Sequence, residues 1–209
     1  MIDKQKSLQI IGGSGHAKVV IQTARAAGYE PVAVYDDNPV LHGKMLCGVP
    51  VKGAIADAQN NGFLCIIAIG DNEVRKKLAK SFNCRWATII HPTAVIDPIV
   101  QIGHGTVIFA GSVIQVDVHI GHHVIVNTST SIDHDCIIGD YSHIAPGCHL
   151  CGAVRVGEGA LLGVGTCVKP QMSIGNWSVI GAGASVVNNI PVDATAVGVP
   201  AKVIRTNLQ

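Results

Sequence analysis

Ile120-Gly121-His122-His123-Val124-Ile125-Val126-Asn127-Thr128-Ser129-Thr130-Ser131-Ile132-Asp133-His134-Asp135-Cys136-Ile137-Ile138-Gly139 carries an aliphatic residue at every sixth position: 120, 126, 132 and 138. The same register runs without insertion from Ile90 to Val192, with Ile, Leu or Val at each step. Four residues after most of these positions stands a small or β-branched side chain, among them Thr106, Ser112, Val124, Thr130, Cys136, Cys148, Ala160 and Thr166. A lone strand repeats every two residues and a helix every 3.6, so neither explains a period of six. A parallel β-helix does, with one short strand and one corner per hexad and three hexads per coil. An Ile/Val-Gly pair recurring every eighteen residues, at Gly103, Gly121, Gly139, Gly157 and Gly175, marks the threefold closure. That corner is expected to need a positive φ. Such a prism buries its aliphatic residues only between coils, and its open ends need caps.

The composition agrees. Of 209 residues 48% are apolar and only 14% charged, which suits an aliphatic core, and 24 glycines suit a chain of corners. A formal charge of +1 offers nothing to a polyanion, and no apolar run approaches the roughly 18 residues a membrane span needs, so neither nucleic acid nor membrane is an expected partner. The polar lead Met1–Ser7 has no secretory character, and seven scattered cysteines read as thiols in a reducing compartment, so the expected location is the cytoplasm.

Charge divides the chain. Residues 1–88 hold 11 Lys and Arg against 7 Asp and Glu, while residues 89–209 hold 4 against 7. The first segment, 1–88, reads as a small Rossmann-like α/β domain. Strands are expected at Leu8–Ile11, Val32–Tyr35 and Cys65–Ile69, and helices at Ala17–Ala27, Gly53–Asn60 and Glu73–Ser81. Gly13-Ser14-Gly15-His16-Ala17-Lys18, between a strand and a helix, is an incomplete dinucleotide fingerprint, with Lys18 where the third glycine would stand. Asp36, 21 residues past Gly15, is placed like a ribose-binding acid. One βαβαβ half suits a mononucleotide or nucleotide-sugar better than a dinucleotide.

In the repeat region, Asp133-His134-Asp135 sets an imidazole between two carboxylates at a corner, while Ile132 and Cys136 keep the inward positions. His134 therefore faces outward. Acyl transfer to an amine needs a base with a pKa near 7 and a donor for the developing oxyanion. Imidazole supplies the first, and a carboxylate beside it, Asp133 or Asp135, would orient it. One coil above His134 stands Gly152, whose bare backbone N–H can serve as the donor. His104 and His122, also one coil apart, suggest a metal site as a rival reading, and Cys148 with Cys151 forms a lone CxxC that packing explains better than zinc. A prism that only senses nucleotide, without catalysis, is a third.

The repeat, the closing Ala196-Val197-Gly198-Val199-Pro200-Ala201-Lys202, the Gly12–Lys18 turn, Asp36-Asp37 and Gly70-Asp71-Asn72-Glu73 together resemble the hexapeptide-repeat sugar O-acyltransferase family. This group includes sialic acid O-acetyltransferases and N-acetyltransferases of nucleotide-linked 4-amino-sugars such as UDP-bacillosamine precursors and GDP-perosamine. The resemblance implies that the second domain, 89–209, is a left-handed β-helix, that the protein is a homotrimer, and that acetyl-CoA lies between neighbouring prisms. It implies His134 as general base with an acidic partner after it, and Asn127, His143, Gly152, Pro200 and Lys202 around the coenzyme. It further implies Ser14, Gly15, His16, Asp36, Asp37, Gly70 and Asn72 around the nucleotide, and no metal. The expected reaction is transfer from acetyl-CoA to the amine of a UDP- or GDP-linked 4-amino-4,6-dideoxy sugar. O-acetylation of a sialic acid is the alternative, and a carbonic-anhydrase-like metalloenzyme a remote one.

Overall fold

The computed structural model describes residues 6–58 and 62–206, in two compact units, Met1–Pro92 and Thr93–Gln209. The expectation about the polar lead therefore falls mostly outside the described residues.

The first unit is an α/β layer. Its sheet contains β1 (Ser7–Ile11), β2 (Glu30–Tyr35), β3 (Met45–Leu46), β4 (Val49–Gly53), β5 (Leu64–Ile67) and β6 (Arg85–Trp86), in the order β3-β4-β2-β1-β5-β6. All pairs are parallel except the hairpin β3/β4. β1 is buried along its whole length, as a central strand of a two-faced sheet must be. Helix α1 (Gly15–Ala26) buries Ala17, Val20, Ile21 and Ala24, spaced for one helical face. Helix α2 (Asn72–Ser81) brings Leu78 and Ala79 to a cluster of Ile11, Ala33, Tyr35, Ile55 and Ile67. The expected helix at 53–60 is not formed. Gly53 ends β4, a single 3-10 turn covers Ile55–Asp57, and residues 59 and 60 lie outside the described set. The hairpin turns on Cys47 and Gly48, both at positive φ, which leaves Val49-Pro50-Val51 to alternate as a strand. Because β2 and β4 lie on one side of β1 and β5 and β6 on the other, the winding reverses between β1 and β5, where such sheets open a crevice at their carboxyl ends.

The second unit is the parallel β-helix. Two-residue strands stack eighteen residues apart. One face carries Val95–Ile96, Val113–Ile114, Ser131–Ile132, His149–Leu150, Cys167–Val168 and Ser185–Val186. The next carries five strands from Gln101–Ile102 to Ser173–Ile174. The third runs through Val107–Ile108, Ile125–Val126, His143–Ile144, Leu161–Leu162 and Val179–Ile180 to Ala194–Val197. Lys202–Thr206 then returns antiparallel along Ala194–Val197 and ends the parallel stack on that face. The second residue of most strands is buried, and so are the small slots. The hydroxyls in those slots reach corner carbonyls: Thr106 Oγ1 donates to Gly121 O at 2.8 Å and Ser178 Oγ to Pro191 O at 2.7 Å. Small polar side chains thus sit inside without leaving a polar group unpaired.

The glycine corner corrects the expectation of positive φ. Gly103, Gly121, Gly139, Gly157 and Gly175 all lack it; the left-handed residue comes two places later, at Gly105, His123, Tyr141, Gly159 and Trp177. What requires glycine is stacking. A Cβ on Gly139 would lie 2.6 Å from Glu158 N, and one on Gly157 would lie 2.5 Å from Asn176 N, so the backbone of the next coil already fills the space.

Candidate active site

The corner Asp133-His134-Asp135 joins Ser131–Ile132 to Ile137–Ile138. Asp135 turns the chain with φ 60°, in the left-handed region that Asp tolerates better than most residues. Its side chain meets the imidazole: His134 Nδ1 lies 2.7 Å from Asp135 Oδ2. Asp133 Oδ1 instead accepts the His134 backbone N–H at 2.9 Å. A carboxylate only accepts, so the ring proton sits on Nδ1 and the lone pair on Nε2. The hydrogen bond to Asp135, followed by the charge of Asp133, holds the His134 pKa above its ordinary 6.5. The side chain is 54% exposed, so the imidazole is open to solvent.

Gly152 lies against this ring. A Cβ there would stand 2.5 Å from His134 Cε1 and 2.6 Å from Nε2, so any side chain would displace the imidazole. Its N–H has no acceptor among the described residues. Beside the same corner, a groove of about 280 Å³ runs over Ile132 and Leu150 between Gln115, Ser131, Asp133, His149 and Cys151. Ser131 Oγ and His149 Nδ1 are 2.8 Å apart across it. Sequence reasoning passed over this pair, although the eighteen-residue step from 131 to 149 places them on one column.

Asn127 and His143 also meet, Nδ2 to Nε2 at 3.2 Å. They flank the corner that precedes strand Ser131–Ile132, whereas His134 is on the corner that follows it. One prism therefore does not bring them to His134. Pro200 lies in the turn before Lys202–Thr206, and Lys202 pairs with Val197 at the end of the stack.

In the first unit, the turn after β1, the end of β2 and the loop after β5 come together at the carboxyl edge of the sheet. Ser14 takes the N-cap position of α1, but its side chain makes no capping hydrogen bond, and the first turn carries no acid, so helix N–H groups face outward. Asp36 is occupied with the fold: Oδ2 accepts Gly13 N–H at 2.6 Å and Oδ1 accepts Asn38 N–H at 2.8 Å. Asp37 Oδ1 accepts Ile55 N–H at 2.9 Å. Gly15 and Gly70 are different. Neither has positive φ, and a Cβ on either would meet nothing within 4 Å, so the chain itself requires glycine at neither place. His16 lies inside, its pKa lowered to about 4 by burial and then by the charge of Arg75, so its ring is neutral near pH 7. Arg75 itself is buried and bonds the loop at 69–72. The sequence concealed it among the lysines of α2.

The exposed rings of His104 and His122 lie with centroids 4.0 Å apart and planes tilted by 34°, and His123 stacks on Tyr141. Cys148 Sγ points at Gly163 O and Cys136 Sγ at Cys151 O, each at 3.2 Å, and burial pushes both thiols up to about 11. Cys148 and Cys151 are both free thiols.

Residues 7–82 match the PglD N-terminal domain family. The chain is 41% identical over 111 residues to the UDP-N-acetylbacillosamine N-acetyltransferase of Bacillus subtilis (strain 168); that match spans 49% of this chain and about half, 51%, of the relative. Over 95% of its length the chain superposes on PerB from Caulobacter crescentus in complex with CoA and GDP-perosamine, with TM-score 0.90, 41% identity and 97% of that chain covered. It likewise superposes on the acetyltransferase domain of PglB from Neisseria gonorrhoeae FA1090, with TM-score 0.89, 35% identity and 100% of that domain covered. By these matches, and with a β-helix after an α/β unit, the chain belongs to the hexapeptide-repeat sugar acyltransferase family that includes the nucleotide-amino-sugar N-acetyltransferases.

Proposed function

We propose that the protein transfers the acetyl group of acetyl-CoA to the amine of a UDP- or GDP-linked 4-amino-4,6-dideoxy sugar. The observation that carries this is the His134 corner: an exposed imidazole with Nδ1 held by Asp135 and Nε2 beside the backbone of Gly152. His134 Nε2 takes the amine proton as the N–C bond forms and passes it to the departing sulfur as the C–S bond breaks. The Gly152 N–H donates to the carbonyl oxygen while negative charge gathers there. The relatives' complexes with CoA and GDP-perosamine support both substrates. No step needs a metal.

The nucleotide belongs to the first unit, around Ser14, Gly15, His16, Gly70 and Asn72. Two glycines that face open space, beside a helix start without a capping side chain, suit a close approach of phosphate. Asp36 and Asp37 contribute by shaping the loops, and any contact with ribose uses their remaining lone pairs.

The active assembly is a homotrimer. The pair Asn127–His143 and the base His134 occupy the two edges of one prism face, so a threefold arrangement about that face sets His134 of one copy against the pair of the next. Pro200 and Lys202 extend the coenzyme groove at the last coil. Free thiols suit the cytoplasm, and no described helix is long and apolar enough to cross a membrane.

The test is incubation of the purified protein with acetyl-CoA and, separately, UDP- and GDP-4-amino-sugars and a free sialic acid, following thiol release and product mass. An acetylated amine on a nucleotide-sugar is expected. Acetylation of the free acid alone, on oxygen, overturns the reading.

A further inference from the structure

Arg75 is 1% exposed, on a helix whose Lys77 and Lys80 are at the surface. Burial lowers its pKa only to about 10, so it remains a cation at neutral pH. A buried guanidinium is costly to desolvate and needs a return for that cost. Three of its hydrogen bonds go to one short loop: Nη1 donates to Ile69 O at 3.0 Å and to Gly70 O at 3.1 Å, and Nη2 to Asn72 Oδ1 at 2.7 Å. In a trans peptide the C=O and the following N–H point opposite ways. Holding the carbonyls of Ile69 and Gly70 inward therefore turns the N–H groups of Gly70 and Asp71 away from the guanidinium. Neither N–H has an acceptor among the described residues, and the space in front of Gly70 is open. Consecutive backbone N–H groups turned to one side form a concavity for anionic or carbonyl oxygen.

We propose that Arg75 is a positioning residue of the nucleotide site, which aims the N–H groups of Gly70 and Asp71 at acceptor oxygens of a nucleoside diphosphate. The proposal rests on the reading of the first unit as the nucleotide site. It places the recognised oxygens at the end of β5, across the winding reversal from the Gly12–His16 turn.

Arg75→Gln tests it by kinetics. Losing two oriented donors raises KM for the nucleotide-sugar by about 10- to 100-fold, while kcat and the KM for acetyl-CoA stay within about threefold. Arg75→Lys keeps the charge but loses the fork, and raises the same KM nearly as far. A merely structural role would lower thermal stability and leave that KM where it was. The wild-type protein gives a second measurement if the variants do not fold: the backbone amide resonances of Gly70 and Asp71 shift on titration with UDP or GDP. Inorganic pyrophosphate reproduces the shift if the oxygens are phosphate, and uridine or guanosine if they belong to the base. Nucleotide that moves the Gly15 resonance but not those of Gly70 and Asp71, or an unchanged KM in both folded variants, overturns the role of Arg75. Nucleotide that moves none of the three overturns the site itself.

Discussion

His16 and His134 lie in the two units and titrate in opposite directions. His16 is enclosed behind the turn after β1, where desolvation and then the cation of Arg75 disfavour its charge. His134 stands on a corner in water, where the Asp135 hydrogen bond and then the Asp133 charge favour it. The first environment yields a neutral ring suited to packing and hydrogen bonding, and the second a base of raised basicity. Position, rather than residue type, divides the labour: the corner at His134 stands in water, while the corner at His123 is 2% exposed although it carries the same residue.

The contrast breaks first at His134. Replacing it with Ala removes the proton acceptor and lowers kcat by about 10²–10⁴, with nucleotide-sugar binding retained. An undiminished kcat, measured by thiol release, excludes it as the base. Gly152→Ala acts on the same ring from the coil above, because the new methyl overlaps Cε1 and Nε2. Its kcat falls by roughly 10², the scale of a reacting group displaced by about an ångström, with little change in melting temperature.

His16 gives the next largest effect, on stability. Its folded pKa of about 4 lies below the ordinary 6.5, so between those values the unfolded chain binds the extra proton and stability falls as pH falls. The full loss is about 3 kcal/mol, complete below pH 4 and absent above 6.5. His16→Gln should flatten that region of the pH-dependence of urea unfolding; an unchanged slope shows that other groups cause it.

Asp135→Asn has a smaller effect on the other histidine. The imidazole is active only when neutral, and its raised pKa places the acid limb of kcat/KM above pH 6.5. Removing the carboxylate moves that limb down toward 6.5, while looser orientation costs about tenfold in kcat at high pH. Asp133→Asn, which leaves the ring hydrogen bond intact, shifts the limb less. Equal shifts would show that charge alone, and not the 2.7 Å hydrogen bond, sets the basicity.

The solenoid was legible because a period of six leaves little choice. The stacking of Gly152 on His134 follows from the same count of eighteen. The count does not reveal why a residue is there: Gly139 and Gly157 yield to the next coil's backbone, a packing constraint that sequence presents in the same form as a conformational one. Asn127 and His143 came from the resemblance and not from the count, and within one prism they lie at the corner before Ser131–Ile132 while His134 lies at the corner after it. In the first unit the turn motif was legible and its support was not. Arg75 reads as one more surface cation on a basic helix until its burial is seen, and the sequence does not show that Asp36 also accepts the N–H groups of Gly13 and Asn38. The hairpin at Met45–Gly53 escaped because Met45–Leu46 is too short to show a period and Pro50 reads as a break inside Val49–Gly53.

The glycines carry the comparison to its smallest effect. A residue that the fold requires and one that a ligand requires look alike in sequence, but they respond differently to one added methyl. At Gly139 the methyl would lie 2.6 Å from a backbone nitrogen, so Gly139→Ala must push neighbouring coils apart and lower the melting temperature of the second unit. At Gly15 the φ is not positive and the space is empty, and Ala is the better helix former by about 1 kcal/mol. Gly15→Ala should therefore leave stability unchanged or raise it slightly, while KM for the nucleotide-sugar rises several-fold because the methyl occupies ground that a phosphate needs. Calorimetry and initial-rate kinetics on the same preparation read both numbers. If stability rises and KM does not move, the open space in front of Gly15 is not where the nucleotide lies.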